Sequence, residues 1–356
     1  MESFSILVQR AYWSAVLGDL NTASKTIELV RSGWRIEENA KDAIEVMLVE
    51  GVIRIYTGKI PDGVDRFRRV IAIGEAIGSE NLTNLGRAWF SLVCYNEGKI
   101  LEAGDLLVQA TRFVGFSEPR TILRISTVAG LLCEYAGYEK AASSWLSAAR
   151  IAVQNIGIPG VLSSVIYDMA VAAIDTSALR KMLGQLTSTE AAQLLLRVKS
   201  AVNYDSGAGV QVQSSLHWLA LGMAFNIAEN YLEAEKSLQI YLQTVPESRS
   251  ADRICASVEL AIAQAGRGGP CISSSLVSEI ERGIGILIEP TERALALEVL
   301  AKNHERSGLL DASKRRRADA LLEIGRRQEI SHVLGLAIQE NSLTFPPAKW
   351  IHQDLW

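Results

Sequence analysis

Histidine is scarce in this chain of 356 residues: His217, His304, His332 and His352 are the whole set, and no two share an HxxxH or HExxH spacing. A zinc hydrolase therefore has no starting ligands. The GxSxG elbow and the GxxxxGK[ST] phosphate loop are also missing. GAG at Gly207 to Gly209 and GRGG at Gly266 to Gly269 lack the lysine and the preceding strand that would cradle a phosphate, and read as plain loops. The four cysteines, Cys94, Cys133, Cys255 and Cys271, form no CxxC. Cys94 and Cys133 fall in apolar helical stretches where free thiols pack as small hydrophobes, so a reducing compartment is expected. Positive charge is not in excess: the net charge is -4, which gives no pull toward nucleic acid or an acidic membrane surface. The run Lys314-Arg315-Arg316-Arg317, with Arg326-Arg327 beyond, is interleaved at helical spacing by Asp311, Asp319, Glu323 and Glu329, as on a solvated helix face; an anion contact is the sharper alternative.

Proline is limited to 8 residues and aromatics to 6%, and strictly alternating β-branched runs are hard to find, whereas Ala, Leu, Ile and Ser abound. That favours helix. The opening MESFSILVQRAYWSAVLGD has an acid at position two and Arg10 soon after a short apolar run, fitting neither a signal peptide nor a membrane span, so a cytoplasmic protein is expected. Carboxylates fall mostly at helix starts and in exposed stripes, as at Glu37-Glu38 or Glu279 and Glu281, with no pair set apart in apolar surroundings. No catalytic residue, metal or cofactor is expected on that reading.

What the chain does contain is a phrase that recurs. GDLNTA from Gly18, GKIPDG from Gly58, GKILEA from Gly98, AGYEKA from Ala136, ENYLEA from Glu229 and SGLLDA from Ser307 each run breaker, large apolar residue, small residue. The closing small residues are Ala23, Gly63, Ala103, Ala141, Ala234 and Ala312, spaced 40, 40, 38, 93 and 78 apart. A period near 40 means stacked helical hairpins, the two long gaps holding two units each. The breaker ends one helix in a left-handed turn, the large residue plugs the hairpin, and the small one lets the second helix approach closely. Twelve residues before each anchor stand Ala11, Gly51, Ser91, Ala129 and Gly222, all small, with Leu300 failing; four after stand Ile27, Phe67, Leu107, Trp145 and Leu238, all large, with Arg316 failing.

These residues resemble the tetratricopeptide (TPR) repeat family, and the 40-residue period is similar to the superhelix of MalT-type activators and Rap-type peptide receptors. The resemblance implies an all-α, right-handed solenoid of about eight antiparallel hairpins. Hairpins are expected at 3–32, 39–78, 81–115, 119–156, 160–186, 211–245, 250–288 and 290–328, with an extra helix near 188–202. Grouped, these make N-terminal hairpins over 1–202, an irregular joint at 203–215 (NYDSGAGVQVQSS), C-terminal hairpins with a capping helix over 216–340, and an apolar tail over 341–356. AGRGGPC, 265–271, is a second loop. The tail, SLTFPPAKWIHQDLW after Asn341, either caps the last hairpin or docks as a peptide that covers or mimics a partner.

In TPR proteins the partner-facing positions lie about eleven, eight and seven residues before the small anchor. The resemblance therefore implies a lining of Tyr12, Ala15 and Val16; Val52, Ile55 and Tyr56; Leu92, Tyr95 and Asn96; Gly130, Cys133 and Glu134; Met223, Asn226 and Ile227; and Ala301, His304 and Glu305. This lining is apolar and tyrosine-bearing, unlike the basic clamp with which chaperone cofactors hold acidic tails; the bland alternative is burial against neighbouring repeats. Such a surface suits an amphipathic helix or an extended hydrophobic peptide. The expectation is a non-enzymatic scaffold that binds a protein or peptide, without nucleic-acid or membrane partners. The alternative is a regulatory module of a bacterial signalling or transcription system that senses a peptide or a small-molecule effector.

Overall fold

The computed structural model describes residues 3–34, 39–111, 118–207, 216–245, 249–268, 272–344 and 346–347. Among them are sixteen α-helices and no strand, so the all-α expectation holds. In chain order they are α1 (Phe4–Val16), α2 (Leu20–Gly33), α3 (Ala40–Tyr56), α4 (Ile60–Ala76), α5 (Glu80–Asn96), α6 (Ile100–Thr111), α7 (Pro119–Tyr135), α8 (Glu139–Ile156), α9 (Pro159–Met182), α10 (Ser188–Gly207), α11 (Leu216–Ile227), α12 (Tyr231–Thr244), α13 (Ser250–Gly266), α14 (Ser274–Gly283), α15 (Pro290–Arg306) and α16 (Leu310–Glu340). The chain forms two compact units. Unit 1 comprises 1–169, 205–212 and 333–356, and unit 2 comprises 170–204 and 213–332.

The turns carry out what their residues dictate. Gly18, Gly58, Gly98, Gly137 and Gly308 all take positive φ, between 71° and 83°, and Glu229 does the same at 61°. The next N–H then bonds the carbonyl five residues back: Lys59 to Arg54, Lys99 to Cys94, Tyr138 to Cys133, Asn230 to Phe225 and Leu309 to His304, at 2.8 to 2.9 Å. This left-handed cap satisfies carbonyls the ending helix would leave unpaired. Pro119 and Pro290 open α7 and α15, where a missing N–H costs nothing.

The left-handed residue corrects the repeat register in two hairpins. In the fourth turn it is Gly137, not Ala136, and in the last it is Gly308, not Ser307. The anchors there are Ala142 and Ser313, whose N–H groups bond Tyr138 and Leu309 as Ala103 bonds Lys99. The partner twelve residues earlier becomes Gly130 in one and Ala301 in the other, both small, so the mismatch at Leu300 disappears. At these crossings a glycine seats a facing side chain: an added Cβ on Gly51 would sit 2.6 Å from the Phe67 ring and on Gly222 2.5 Å from the Leu238 side chain, while on Gly130 it would sit 3.0 Å from the Met169 sulfur of α9 and 3.6 Å from the Ala142 carbonyl.

Two further expectations change. The hairpin at 160–186 is a single helix, α9, because no breaker interrupts the sequence between Gly160 and Gly184, where φ reaches 67° and the helix ends. It alone among the described helices is long and apolar enough to cross a membrane, and 56% of that stretch is buried inside the protein. The joint at 203–215 begins as helix, since α10 runs to Gly207. Asp205 there is fully buried and accepts a 2.6 Å hydrogen bond from the Ser163 hydroxyl, which fixes that end of α10 in unit 1. The rest of the joint, the end of the loop at 269–271, and tail residues 345 and 348–356 lie outside the described residues.

Candidate functional site

In unit 1 the first helices of the four hairpins meet around Trp89 of α5. Its indole N–H donates to the Tyr12 hydroxyl of α1 at 3.2 Å, its ring stacks on Phe67 of α4, and Tyr56 of α3 meets it edge-on at 6.3 Å. On its other side lies the Arg124 guanidinium of α7, 3.7 Å from the ring centre, with Arg120 one turn earlier set 5.3 Å from Tyr12. A cation over an aromatic face offsets part of the cost of burying its charge. Arg120 also bonds Glu45 of α3 at 3.2 and 3.3 Å and Glu118 at 2.9 Å. The α1 aromatics therefore reach three hairpins along the chain: Trp13 joins Leu123, Val153 and Val161 in one apolar cluster.

This convergence decides the fate of the sequence-derived lining. Tyr12, Val52, Leu92, Glu134, Met223 and Asn226 are buried. Ile55 is half-buried and lies over Gly63, where an added Cβ would come within 2.5 Å of it. Tyr95 is half-buried against Tyr135, with ring centres 6.4 Å apart, and Asn96 is exposed. Tyr56 is 36% exposed, yet protein crowds its hydroxyl, and burial pushes the phenol to about 12, with Arg124 opposing and Asp168 adding to the shift. His304 is half-buried; in the corrected register its place passes to Glu305 and Arg306, while Tyr135 joins Glu134 in the fourth hairpin. Tyr135 was hidden in the sequence by taking Ala136, not Gly137, as the breaker.

The end of the described chain also sits in unit 1, on α6, α7 and α8. Leu334 lies against Gly104, and Gly335 lies against the Tyr138 ring. The Gln339 amide donates to the Tyr138 hydroxyl at 2.6 Å. Helix α16 ends through Ser342, forced to φ 56°, and the turn delivers Leu343 into the interior at 5% exposure. There the Trp145 indole donates to the Leu343 carbonyl at 2.8 Å, and the Cys133 thiol approaches the same oxygen at 3.8 Å. A main-chain carbonyl held by a buried indole is recognition of backbone, which does not depend on side-chain identity. Burial pushes the Cys133 thiol to about 12, so it stays a neutral donor.

Unit 2 holds a second arrangement, a small cavity of about 10 Å³, room for about one water, lined by Asp175 of α9, Cys255, Val258 and Glu259 of α13, and Thr291 and Glu292 of α15, among others. Burial is the leading cause that pushes Asp175 and Glu259 to about 7 and Glu292 to about 8. Mutual repulsion adds to the shift: Glu289 and Glu259 act on Asp175, and Asp175, Glu289 and Asp252 act on Glu292. The Asn226 amide donates to Glu259 at 2.6 Å. These acids correct the expectation that no carboxylate stands in an apolar setting. The signal was present in MAVAAIDTSAL, where Asp175 is the lone charge in an apolar helical run.

No known family model and no curated protein matches the chain. The reading of function therefore rests on these two arrangements. Burial and its acidic neighbours push the Cys255 thiol well above its ordinary value, and Cys94 is pushed to about 12, so neither is a ready nucleophile. Among the described residues no three His, Cys, Asp or Glu side chains are grouped to hold a metal ion. Of the basic run, Arg317 pairs with Glu305 and Arg316 lies 3.7 Å from Glu281, as a charge-balanced helix face would have it.

Proposed function

We propose that this protein is a non-enzymatic, TPR-like helical scaffold that binds an extended apolar peptide, and that its hairpins continue as a right-handed superhelix. The observation that carries the reading is the seat on α7 and α8, where Trp145 and Cys133 hold the Leu343 carbonyl while the leucine side chain is buried. The chain's own C-terminal segment occupies this seat in the manner of a ligand, and Glu134 beside Cys133 is one of the positions at which the repeat resemblance, in the corrected register, puts a partner. The test uses a chain ending at Asn341 and a synthetic peptide, SLTFPPAKWIHQDLW. The truncated chain binds the peptide with a Kd of about 10 µM by fluorescence anisotropy, and Trp145→Phe, which removes the indole donor, weakens it roughly 3- to 10-fold. A truncated chain that keeps its helical circular dichroism yet fails to bind the peptide defeats the proposal. A second reading, a ligand-sensing regulatory module, draws on the buried acids Asp175, Glu259 and Glu292 of unit 2, whose raised pKa values make that unit responsive to its surroundings.

A further inference from the structure

We infer that the seat on α6, α7 and α8 is a docking groove for the C-terminal end of an amphipathic helix, and that residues 334–343 are a tethered stand-in which such a partner displaces. The partner it fits carries large apolar residues at i, i+4 and i+9, a glycine at i+1 and a left-handed residue at i+8. The inference rests on the reading of this seat as the binding surface and adds the shape of the partner.

The occupant reaches the Leu343 carbonyl as a helix. Leu334 and Ile338 lie one turn apart on one side of α16 and are 1% and 2% exposed, and Leu343 follows at 5%, whereas Val333 and Leu336 face outward at 42% and 45%. Anchors at i and i+4 are how a groove reads an amphipathic helix. The helix end is held in a fixed shape as well. The Leu343 N–H bonds the Ile338 carbonyl at 2.8 Å and the Ser342 N–H bonds the Gln339 carbonyl at 3.1 Å, which leaves the Leu343 carbonyl to Trp145 and Cys133.

The groove is cut for this shape by close approaches on both sides. Gly104 of α6 makes room for Leu334, whose methyl would lie 2.9 Å from an added Cβ. Gly335 makes room for Tyr138, whose hydroxyl and ring would lie 3.1 and 3.2 Å from an added Cβ, and the same hydroxyl accepts the Gln339 amide at 2.6 Å. Glycine inside a helix weakens it relative to alanine, so Gly335 serves the approach and not the helix.

The resident segment is not the best ligand for this groove. Ser342 stands at φ 56°, a backbone that glycine adopts without penalty and serine does not. What keeps the segment in place is the tether, which holds it at a high effective concentration. A helix with glycine at that position makes the same contacts without the strain and binds more tightly than the native sequence.

The experiment uses the full chain and a fluorescein-labelled peptide of residues 329–344, EISHVLGLAIQENSLT, followed by anisotropy. Leu343→Ala in the full chain loosens the resident segment and tightens peptide binding roughly tenfold or more over wild type. Gln339→Ala, which drops only the amide bond to Tyr138, does so by a smaller factor; its site is exposed, so it carries the same comparison should the leucine variant unfold. On the loosened chain a peptide with Ser342→Gly binds roughly 3- to 5-fold tighter than the native peptide, and one with Gly335→Leu at least about tenfold weaker. The inference is overturned if wild type and both variants bind the peptide equally or not at all, or if the Gly335→Leu peptide binds as well as the native one. Should these results fail while SLTFPPAKWIHQDLW still binds the chain ending at Asn341, the helix-end partner alone is lost. Should that peptide fail too, the reading of the seat is lost with it.

Discussion

Glu259 and Glu292 give the sharpest test at the scale of single residues. Folding lifts their pKa to about 7 and about 8 from the ordinary value near 4.3 for an unfolded glutamate. A group whose pKa rises on folding contributes stability that is whole below the unfolded value and drains away as pH climbs through the folded one. Burial leads in both; Asp175, Glu289 and Asp252 deepen the shift of Glu292 and a hydrogen bond from Cys255 softens it, while Asn226 and Lys181 soften that of Glu259. Unfolding by urea should accordingly show wild type losing stability between pH 6 and pH 8.5. The Glu259→Gln, Glu292→Gln protein should change less over that span and exceed wild type by about 1 to 2 kcal/mol at the alkaline end. A wild-type profile that is flat, or that rises with pH, refutes the placement of these acids. At Glu229 a side chain is held at φ 61°. Glu229→Gly relieves that strain and should raise stability by up to about 1 kcal/mol by the same urea measurement.

At the scale of the element, the hairpin rests on small residues at the crossing. In the third hairpin Ser91 and Ala103 meet closely enough for the Ser91 hydroxyl to donate to the Ala103 carbonyl at 2.6 Å, with both residues fully buried. Ala103→Leu puts three extra carbons into that contact and should lower the unfolding free energy by about 1 to 3 kcal/mol in urea titration. If stability is unchanged, the close crossing is not what sets the hairpin. This much was legible in the sequence, because a breaker, a plug and a small anchor are chemical requirements of a helix turning back on itself. The register of the fourth and last hairpins was off by one: Ala136 and Ser307 look like breakers by position, but only the glycine beside each takes the left-handed backbone without a Cβ penalty. Helix α9 escaped for the reverse reason, an expected turn with no residue able to make it.

At the scale of the whole molecule, a residue thirteen positions from the last one behaves as core. Leu343 is buried in unit 1, and its carbonyl is held by Trp145. Leu343→Ala should cost about 2 to 5 kcal/mol in thermal or urea unfolding, the value for a core leucine. A loss under about 0.5 kcal/mol, the figure for a surface site, argues against the seat. The Trp89 centre makes the same point: Tyr12, Tyr56, Phe67 and Arg124 come from four helices spread over more than a hundred residues.

By itself the sequence determined the helical class, the hairpin turns and the small-residue crossings, because each follows from interactions within some forty residues. Tertiary structure alone decided which faces stayed open. Tyr12 fills a core because contacts such as Trp89 with Arg124 gather helices from distant parts of the chain around it, and no local spacing encodes them. The same holds for the acids of unit 2: Asp175, Glu259 and Glu292 lie on three helices far apart in the chain, and their protonation is a property of the space they share.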